Sequence, residues 1–175
     1  QMNTRCRELG GENSNFANTN GLHDENHYTC ARDMALIGRE LFKHPDFFRI
    51  VQTLNYTIPA TETVEEHIFQ QKHKMLMPEN SNYYPYAIGG KTGFTSDAGY
   101  CYVGALENEG RTYVVALLAC GWPNHKGYKW ADTKKLMTYG MEAFHYREVN
   151  MPMDFGNIPV EGAVPQGGAL QGERM

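Results

Sequence analysis

Residues 89–121 read GGKTGFTSDAGYCYVGALENEGRTYVVALLACG, and they carry the clearest structural signal in the chain. Two runs rich in β-branched and aromatic residues flank the segment ENEG at 107–110, which puts a glycine at the tight position of a turn. Strand-forming runs on both sides of such a turn are typical of an antiparallel β-hairpin. A lysine–threonine pair between glycines, at 89–93, opens the stretch.

Helical patterns precede these strands. Residues 1–10 place apolar side chains on one helical face, and the pair Gly10-Gly11 marks where the helix can stop. Thr29 is predicted to cap a second helix, with Asp33 in its first turn. Pro45 is predicted to end that helix after His44. Between the two helices, a segment crowded with asparagine and glycine predicts an ordered loop.

The remaining segments complete the predicted order of elements. Residues 47–55 predict a short helix or turn, and 64–76 (VEEHIFQQKHKML) are ambiguous, with extended structure favoured in their second half. Residues 131–144 predict an amphipathic helix. This order predicts an α+β domain over 1–147, with an antiparallel sheet and helices packed on it. The tail, 148–175, is rich in proline and glycine and predicts a linker or the start of a truncated C-terminal domain.

Composition limits the possible classes of function. The 175 residues are 41% hydrophobic, which suffices for one modest domain with its own core. A formal net charge of -4 and a pI near 6.0 give no electrostatic reason to expect a nucleic-acid partner. Mean hydropathy is -0.56, and no apolar run is long enough to span a bilayer. Four scattered cysteines lack zinc-site spacing and predict small buried side chains rather than a disulfide framework.

The glycine-flanked pair Lys91-Thr92 admits two interpretations, and the first is a phosphate loop. That loop needs the pattern GxxxxGK followed by serine or threonine, with a helix after it, so that backbone N–H groups surround the phosphates. The first glycine of the pattern would stand at position 85, which is Pro85. The segment from Gly93 to Gly99 favours strand and turn instead of a helix. The sequence therefore argues against a phosphate loop.

Residues 23–27, HDENH, raise the question of a metal site. A zinc-protease pattern needs HExxH on a helix, so that both imidazoles lie on one face. Asp24 stands where the glutamate would be, and the Asn-Gly pair just before it disfavours a helix. His23 and His27 are therefore interpreted as hydrogen-bonded structural residues, and no metal site is expected.

The second interpretation of the Lys-Thr pair is a strand that binds a carboxylate. A lysine ammonium beside a threonine hydroxyl offers a charge and a directional donor to a terminal carboxylate. The glycine that follows leaves room for an extended substrate to pair with the strand edge. Lys91, Thr92 and Gly93 are therefore candidate substrate-binding residues, and a motif of three residues needs support from a longer context.

Longer motifs supply that context. The stretch 89–121, followed by 132–144 (DTKKLMTYGMEAF), resembles the serine-type D-alanyl-D-alanine carboxypeptidases, the low-molecular-mass penicillin-binding proteins. Upstream, 16–41 (FANTNGLHDENHYTCARDMALIGREL) is similar to that family's FxNxxGL signature, and 2–11 (MNTRCRELGG) resembles the helix that precedes it. The motifs together cover roughly 1–147. The resemblance implies a penicillin-binding/β-lactamase-like transpeptidase fold whose N-terminal part is absent.

The resemblance also implies a chemistry, acyl transfer, in which the serine of an SxxK motif attacks the D-Ala-D-Ala amide. Lys91 matches the lysine that supports the proton relay. Thr92 matches the residue that holds the substrate carboxylate, beside which Gly93 leaves room. The backbone N–H of Phe94 matches a donor of the oxyanion hole. Thr95 is expected to shape the edge of the site.

Other matched positions have different expected roles. His27, Thr29 and Asp33 match family positions that are interpreted as structural. Lys126 and Lys129 carry a further hypothesis, in which one of them adds positive charge for the substrate carboxylate. The alternative is that both are solvated loop lysines.

The chain departs from the family pattern in one respect. Its three serines, Ser14, Ser81 and Ser96, provide neither an SxxK nor an SxN motif. In the family both motifs lie upstream of the helix with which this sequence opens. We therefore expect a partial catalytic domain, 1–147, that has the binding strand but no nucleophile and is inactive alone. Its sheet is expected to have an open edge that must be paired or covered.

Several functions stay open at this stage. The leading one is a penicillin-sensitive D,D-carboxypeptidase acting on peptidoglycan stem peptides that end in D-Ala-D-Ala, completed by a chain segment with the missing motifs. A β-lactamase-like hydrolase would share the fold, and a non-catalytic module would bind similar peptides. The resemblance further implies β-lactam antibiotics as ligands, no cofactor, and an extracytoplasmic location, secreted or anchored at the cell envelope.

Overall fold

The computed structural model describes residues 1–147, in which Gln1–His145 form one compact unit. The elements in chain order are α1 (Met2–Glu8), α2 (Ala31–Leu41), α3 (Pro45–Gln52), β1 (Asn55–Ile58), β2 (His67–Gln70), β3 (Ala87–Thr95), β4 (Gly99–Asn108), β5 (Arg111–Leu117) and α4 (Tyr128–Ala143). No helix in this part of the chain combines the length and apolar character needed to cross a bilayer. The predicted linker, 148–175, lies outside the described residues.

Strands β3, β4 and β5 form an antiparallel sheet in that order. The β4–β5 hairpin turns at Glu109 and Gly110, whose φ angles of 51° and 70° fit a two-residue hairpin loop. The hairpin predicted from the ENEG segment and the α+β class are therefore confirmed. The outer strands β3 and β5 each have one edge without a partner strand among residues 1–147.

The main core lies between the sheet and α4. Side chains alternate between the two faces of a strand, so every second residue of β4 and β5 faces this helix. Tyr102, Leu106 and Val115 of the sheet pack with Trp130 and Met137 of α4, and all five are buried. Burying an apolar side chain of this size stabilises the fold by about 1.5–3 kcal/mol. Strand β3, which carries the Lys-Thr pair, is hydrogen-bonded to β4 of this layer.

The opposite face of the sheet packs against α2. A Cβ at Gly38 would lie 2.8 Å from Val103 and 3.0 Å from Val114, so the helix approaches the strands closely at this glycine. Helix α1 is joined to α2 by an ion pair of 2.7 Å between Arg5 and Glu40. The sheet is thus covered by α4 on one face and by the N-terminal helices on the other.

A histidine is buried in the core beneath the sheet. His73 is 2% exposed, its Nε2 lies 2.7 Å from the Tyr102 hydroxyl, and its ring centroid lies 5.4 Å from that of Trp130. Burial lowers the pKa of His73 to about 4, and burial also raises the pKa of Tyr102. The imidazole is therefore neutral near pH 7 and serves as a structural hydrogen-bonding group.

Two predictions about the ends of α2 are wrong. Its N-cap is Cys30, not Thr29, and no side-chain cap hydrogen bond is made. The Thr29 hydroxyl instead lies 2.7 Å from the Ser14 hydroxyl, in the preceding loop. The helix ends at Leu41, and Pro45 begins α3 rather than ending α2. Proline suits a first helical turn because its φ is already helical and its missing N–H would have had no partner there.

The segment 64–76 is extended only in its first half. Strand β2 pairs with β1, with Tyr56 opposite Phe69, in a hairpin separate from the main sheet. The second half, where extended structure is predicted, contains a short 3₁₀ turn at Lys74–Leu76, so that prediction is wrong. The turn is stabilised because it carries Met75 into the core beside His73. The predicted short helix after Pro45 is confirmed by α3.

The cysteines differ in burial. Only Cys6 is fully buried, so the prediction of buried cysteines holds for it alone. Cys30, Cys101 and Cys120 are half-buried, and all four are free thiols. Burial raises the pKa of the Cys120 thiol, and a contact of 3.4 Å with the carboxylate of Asp132 raises it further.

Candidate functional site

The Lys-Thr pair lies in β3, the outer strand of the sheet. Lys91 is paired with Val103 of β4, and Thr92 with Tyr102. The other edge of β3 has no partner strand among residues 1–147, and backbone groups on such an edge are available to an extended peptide. All five predicted site residues, 91–95, thus lie on one strand with a free edge.

The glycines around the pair have different structural roles. A Cβ at Gly90 would lie 2.6 Å from the carbonyl oxygen of Val103, and one at Gly89 would lie 2.5 Å from Val51 of α3. These two glycines are required by packing. A Cβ at Gly93 would meet no atom of the described residues within 4 Å. The space beside Gly93 is therefore open to a ligand.

Lys91 provides positive charge at this edge. Its ammonium is exposed and donates to the backbone carbonyl of the adjacent Thr92. Within the part of the chain that the structure describes, no carboxylate lies within ion-pair distance of it. An ammonium without a carboxylate partner is suited to bind an anion such as a carboxylate.

The turn after the strand is held from two sides. The Ala98 N–H donates to Thr95 Oγ1 at 3.0 Å, and the indole N–H of Trp122 donates to the Ser96 carbonyl at 2.8 Å. The exposed ring of Phe94 packs on a tyrosine of β4, with centroids 4.6 Å apart. The hydroxyl of Thr95 is thus engaged in the turn, so this residue shapes the end of the strand.

The loop between α1 and α2 reaches this turn. His23 Nδ1 lies 3.7 Å from the carboxylate of Asp97. The other histidine of the loop has a structural contact, because His27 Nδ1 accepts a hydrogen bond from the Ala17 N–H at 3.3 Å. Sequence reasoning missed Asp97. Its position in the predicted turn directly after the binding strand is the signal that points to it.

The base of that loop is fixed to α2 by Asp33. Its fully buried carboxylate accepts hydrogen bonds from the Asn13 backbone N–H at 2.7 Å and from the Ser14 hydroxyl at 2.8 Å. Burial opposes ionisation, but the hydrogen bonds, led by that of Asn13, hold the pKa of Asp33 below its usual range. These contacts support the structural interpretation of Asp33 and, through Ser14, of Thr29.

Lys129 is buried and packs against Tyr100, the β4 residue that is paired with Phe94. Its ammonium is 4.1 Å from the ring centroid of Tyr100 and 3.4 Å from the carbonyl oxygen of Lys126. Burial lowers the pKa of Lys129. A buried ammonium over an aromatic face is a stabilising cation–π contact. The hypothesis that Lys126 or Lys129 adds charge for a substrate carboxylate stays a prediction, whereas the alternative of a solvated loop lysine is wrong for Lys129.

The sequence is similar to known carboxypeptidases. The sequence model of the D-alanyl-D-alanine carboxypeptidase family matches residues 1–120. D-alanyl-D-alanine carboxypeptidase DacA of Escherichia coli is 32% identical over 161 residues, which is 91% of this chain and 37% of the relative. DacF of Bacillus subtilis is 26% identical over 148 residues, which is 82% of this chain and 35% of the relative.

Solved structures share the fold. A D-alanyl-D-alanine carboxypeptidase from Mycobacterium tuberculosis has a TM-score of 0.68 and 27% identity, covering 81% of this chain and 52% of that one. A DD-transpeptidase of Streptomyces has a TM-score of 0.70 and 29% identity, with the same coverages.

The similarity to these structures shows that the chain has a penicillin-binding DD-peptidase fold, as predicted. The chain belongs to the D-alanyl-D-alanine carboxypeptidase family. It spans about a third of the length of these curated relatives and about half of the solved chains, toward their C-terminal end.

Proposed function

We propose that this chain forms the substrate-binding strand of a serine-type D-alanyl-D-alanine carboxypeptidase, whose substrates are peptidoglycan stem peptides ending in D-Ala-D-Ala. One observation carries the proposal: in a chain of this family, the Lys-Thr pair lies on the free edge of β3, with open space at Gly93. An extended peptide adds to such an edge through its backbone, and side chains along the edge select its terminus.

Each residue of the edge has a chemical role. The Thr92 hydroxyl donates to the C-terminal carboxylate of the peptide, and the Lys91 ammonium stabilises its charge and the proton relay of the serine motifs. The backbone N–H of Phe94 donates to the oxygen of the scissile carbonyl, which becomes an oxyanion during attack. Gly93 leaves space for the terminal D-alanine, and Thr95 holds the turn at the end of the strand.

Hydrolysis requires a nucleophile that these 175 residues do not contain. In the family's chemistry a serine oxygen adds to the carbonyl carbon, its proton passes through the SxxK lysine to the departing amine of D-alanine, and water then cleaves the acyl-enzyme. None of the three serines of this sequence has a lysine three residues later. We infer that the chain binds the peptide itself and catalyses hydrolysis only when completed by a segment with the SxxK and SxN motifs.

A surface suited to such a segment runs along β5. A groove of about 320 Å³ lies between the outer edge of β5 and α4. Leu136 and Tyr139 of α4 are exposed there, and the buried hydroxyl of Tyr113 has no hydrogen-bond partner among residues 1–147. A strand with apolar side chains would pair with β5, cover the groove and offer a carbonyl to Tyr113.

A peptide-binding module without catalysis is the second candidate, and the absence of an SxxK serine from this sequence favours it. β-Lactam antibiotics are proposed as covalent ligands of the completed site, and labelling by them separates the two candidates. We also infer an extracytoplasmic location at the cell envelope, because the proposed substrate is part of the cell wall.

Peptide binding is tested by nuclear magnetic resonance titration of the isotope-labelled chain with N-acetyl-Lys-D-Ala-D-Ala. The amides of 91–95 should shift, and the peptide with a C-terminal amide should bind more weakly. Thr92→Val should weaken binding about tenfold or more, since a hydrogen bond to a charged group contributes about 1.5–3 kcal/mol. Thr57→Val, on the separate β1–β2 hairpin, is the matched control and should have no effect. Equal binding of the acid and the amide would contradict the proposal.

Completion is tested with fluorescent penicillin. The chain alone should remain unlabelled. It should give a penicillin-binding complex after refolding with the segment of Escherichia coli DacA that precedes the matched region, with the label on the serine of that segment. Labelling of the isolated chain would show that the inferred need for a second segment is wrong.

A further inference from the structure

The proposed contacts of β3 fix the direction of a bound peptide, and the inference below rests on that proposed function. The C-terminal carboxylate lies at Thr92 and the scissile carbonyl at Phe94. The rest of the peptide must therefore continue past Thr95 toward the β3–β4 turn, antiparallel to β3. That turn is therefore the nearest part of the strand region to the substrate residues that precede D-Ala-D-Ala.

Asp97 is the charged residue of this turn. Its side chain is 71% exposed, and its one ionic contact among residues 1–147 is His23, at 3.7 Å. No lysine or arginine of the described chain lies within 4 Å of the carboxylate. The backbone beside it is fixed, because Thr95 accepts from the Ala98 N–H and Trp122 donates to the Ser96 carbonyl. A carboxylate is thus held on an ordered turn and is open to a cation from solvent.

Spacing decides which substrate residue reaches this carboxylate. An extended chain advances about 3.3 Å per residue. With the scissile carbonyl at Phe94, the residue immediately before the D-Ala pair lies level with Thr95 and Ser96. A side chain with a long aliphatic stem and a terminal ammonium extends from there to Asp97. A short or neutral side chain at the same position makes no such contact.

We propose that Asp97 is a specificity-determining residue that binds an ammonium group on the substrate residue directly before D-Ala-D-Ala. Lys91 and Asp97 then lie near opposite ends of the bound peptide, the first on the side of the substrate's carboxylate and the second beside its cationic side chain. This arrangement of charge selects both the orientation of the peptide and a diamino acid at that position.

The test compares two peptides that differ in one charge, N-acetyl-Lys-D-Ala-D-Ala and its Nε-acetylated form, by magnetic resonance titration of the full chain. The free amine should bind about three- to fivefold more tightly, as expected for an exposed ion pair, and should shift the amides of 96–98. Asp97→Asn should remove that preference without changing the affinity for the acetylated peptide. Glu142→Gln, which removes one exposed carboxylate from α4, should keep the preference.

The outcomes separate this inference from the proposed function. Equal affinity for the two peptides, with shifts at 92–94, would overturn the role of Asp97 and leave the binding strand intact. Retention of the preference in the Asp97→Asn variant would also overturn it. Absence of shifts at 92–94 with either peptide, up to the limit of solubility, would overturn both the binding strand and the role of Asp97.

Discussion

Gly90 and Gly93 are three residues apart in β3, yet the packing around them differs. At Gly90 the backbone of β4 occupies the space that a side chain would need, with the Val103 carbonyl oxygen 2.6 Å and Gly104 Cα 2.8 Å from a Cβ. At Gly93 that space is empty within 4 Å. The first glycine therefore serves folding, and only the second has the surroundings expected of a residue that accommodates a ligand.

Alanine substitutions should separate these two roles. Gly90→Ala forces a Cβ against backbone atoms that cannot rotate away, so it should lower the free energy of unfolding by about 1–3 kcal/mol. Gly93→Ala should change stability by less than about 0.5 kcal/mol, as for a surface site, and should weaken binding of the D-Ala-D-Ala peptide. Urea denaturation measures the first effect and peptide titration the second. A strongly destabilised Gly93→Ala variant would show that the space is not open.

His73 should make stability depend on pH. Its pKa is about 4 in the folded chain and 6.5 ordinarily, so between these values the unfolded chain binds a proton that the folded chain does not. The free energy of unfolding should therefore fall by about 3 kcal/mol as the pH falls from 6.5 to 4. Asp33 contributes below this window, because its lowered pKa matters only as the pH falls below its ordinary 3.8.

Urea denaturation at several pH values checks this dependence. A His73→Gln variant should be less stable throughout, because it loses packing beside Tyr102, but it should lack this part of the pH slope. His44→Gln, at an exposed histidine, should keep the wild-type slope. A wild-type slope in the His73→Gln variant would assign the effect to other groups.

Among the elements, the β1–β2 hairpin is the least stabilised by burial against the rest of the fold. All residues of both strands are exposed, and the hairpin is separate from the three-stranded sheet. Two strands alone are marginally stable in water. Amides of β1 and β2 should therefore exchange with solvent much faster than those of β4, and Phe69→Ala should speed exchange only within the hairpin. Amide exchange measured by mass spectrometry checks this. Matching protection in β2 and β4 would contradict it.

Sequence patterns predicted the elements whose signals are local. The last two residues of ENEG, Glu109 and Gly110, adopt positive φ angles. Two such residues in a row form a two-residue β-hairpin turn, so the pairing of β4 with β5 was predictable. The cap of α2 was not, because the Thr29 hydroxyl has a competing partner, Ser14, in a loop that folds back from elsewhere in the chain. The turn at Lys74–Leu76 was missed for a similar reason, since burial of Met75 and His73 overrides local preference.

In the candidate site, too, residues in a continuous motif could be predicted, and residues whose surroundings come from distant segments could not. Residues 91–95 were recognisable because the motif is continuous in sequence and lies on one strand. Asp97 was not chosen, because its proximity to His23 depends on a loop that Asp33 holds in place from α2. The alternative in which Lys129 is a solvated loop lysine is wrong. Its position in sequence suggested an exposed loop, whereas it lies in the first turn of α4 and points into the core.

For the whole molecule, the edge of β5 that has no partner strand among residues 1–147 is the surface on which the proposed completing segment would dock. The groove beside it is lined by β5 and α4, and three of its apolar side chains, Leu136, Tyr139 and Phe144, are exposed. Charged substitutions there should spare the fold and impair only the docking of a completing segment. A tyrosine-to-glutamate substitution on the β1–β2 hairpin supplies a control of equal exposure, because Tyr139 in the groove and Tyr56 on the hairpin are 61% and 62% exposed.

Tyr139→Glu should therefore leave the unfolding free energy of the chain within about 0.5 kcal/mol of wild type. It should weaken binding of the preceding segment of Escherichia coli DacA about tenfold or more, because a carboxylate in an apolar interface loses hydration without gaining a partner. Tyr56→Glu should leave that binding unchanged. Fluorescence anisotropy of the labelled segment gives both affinities, and denaturation gives the stabilities. Equal weakening by the two variants would place the segment elsewhere than on β5, whereas self-association of the chain that is lost in Tyr139→Glu would assign the groove to a second copy.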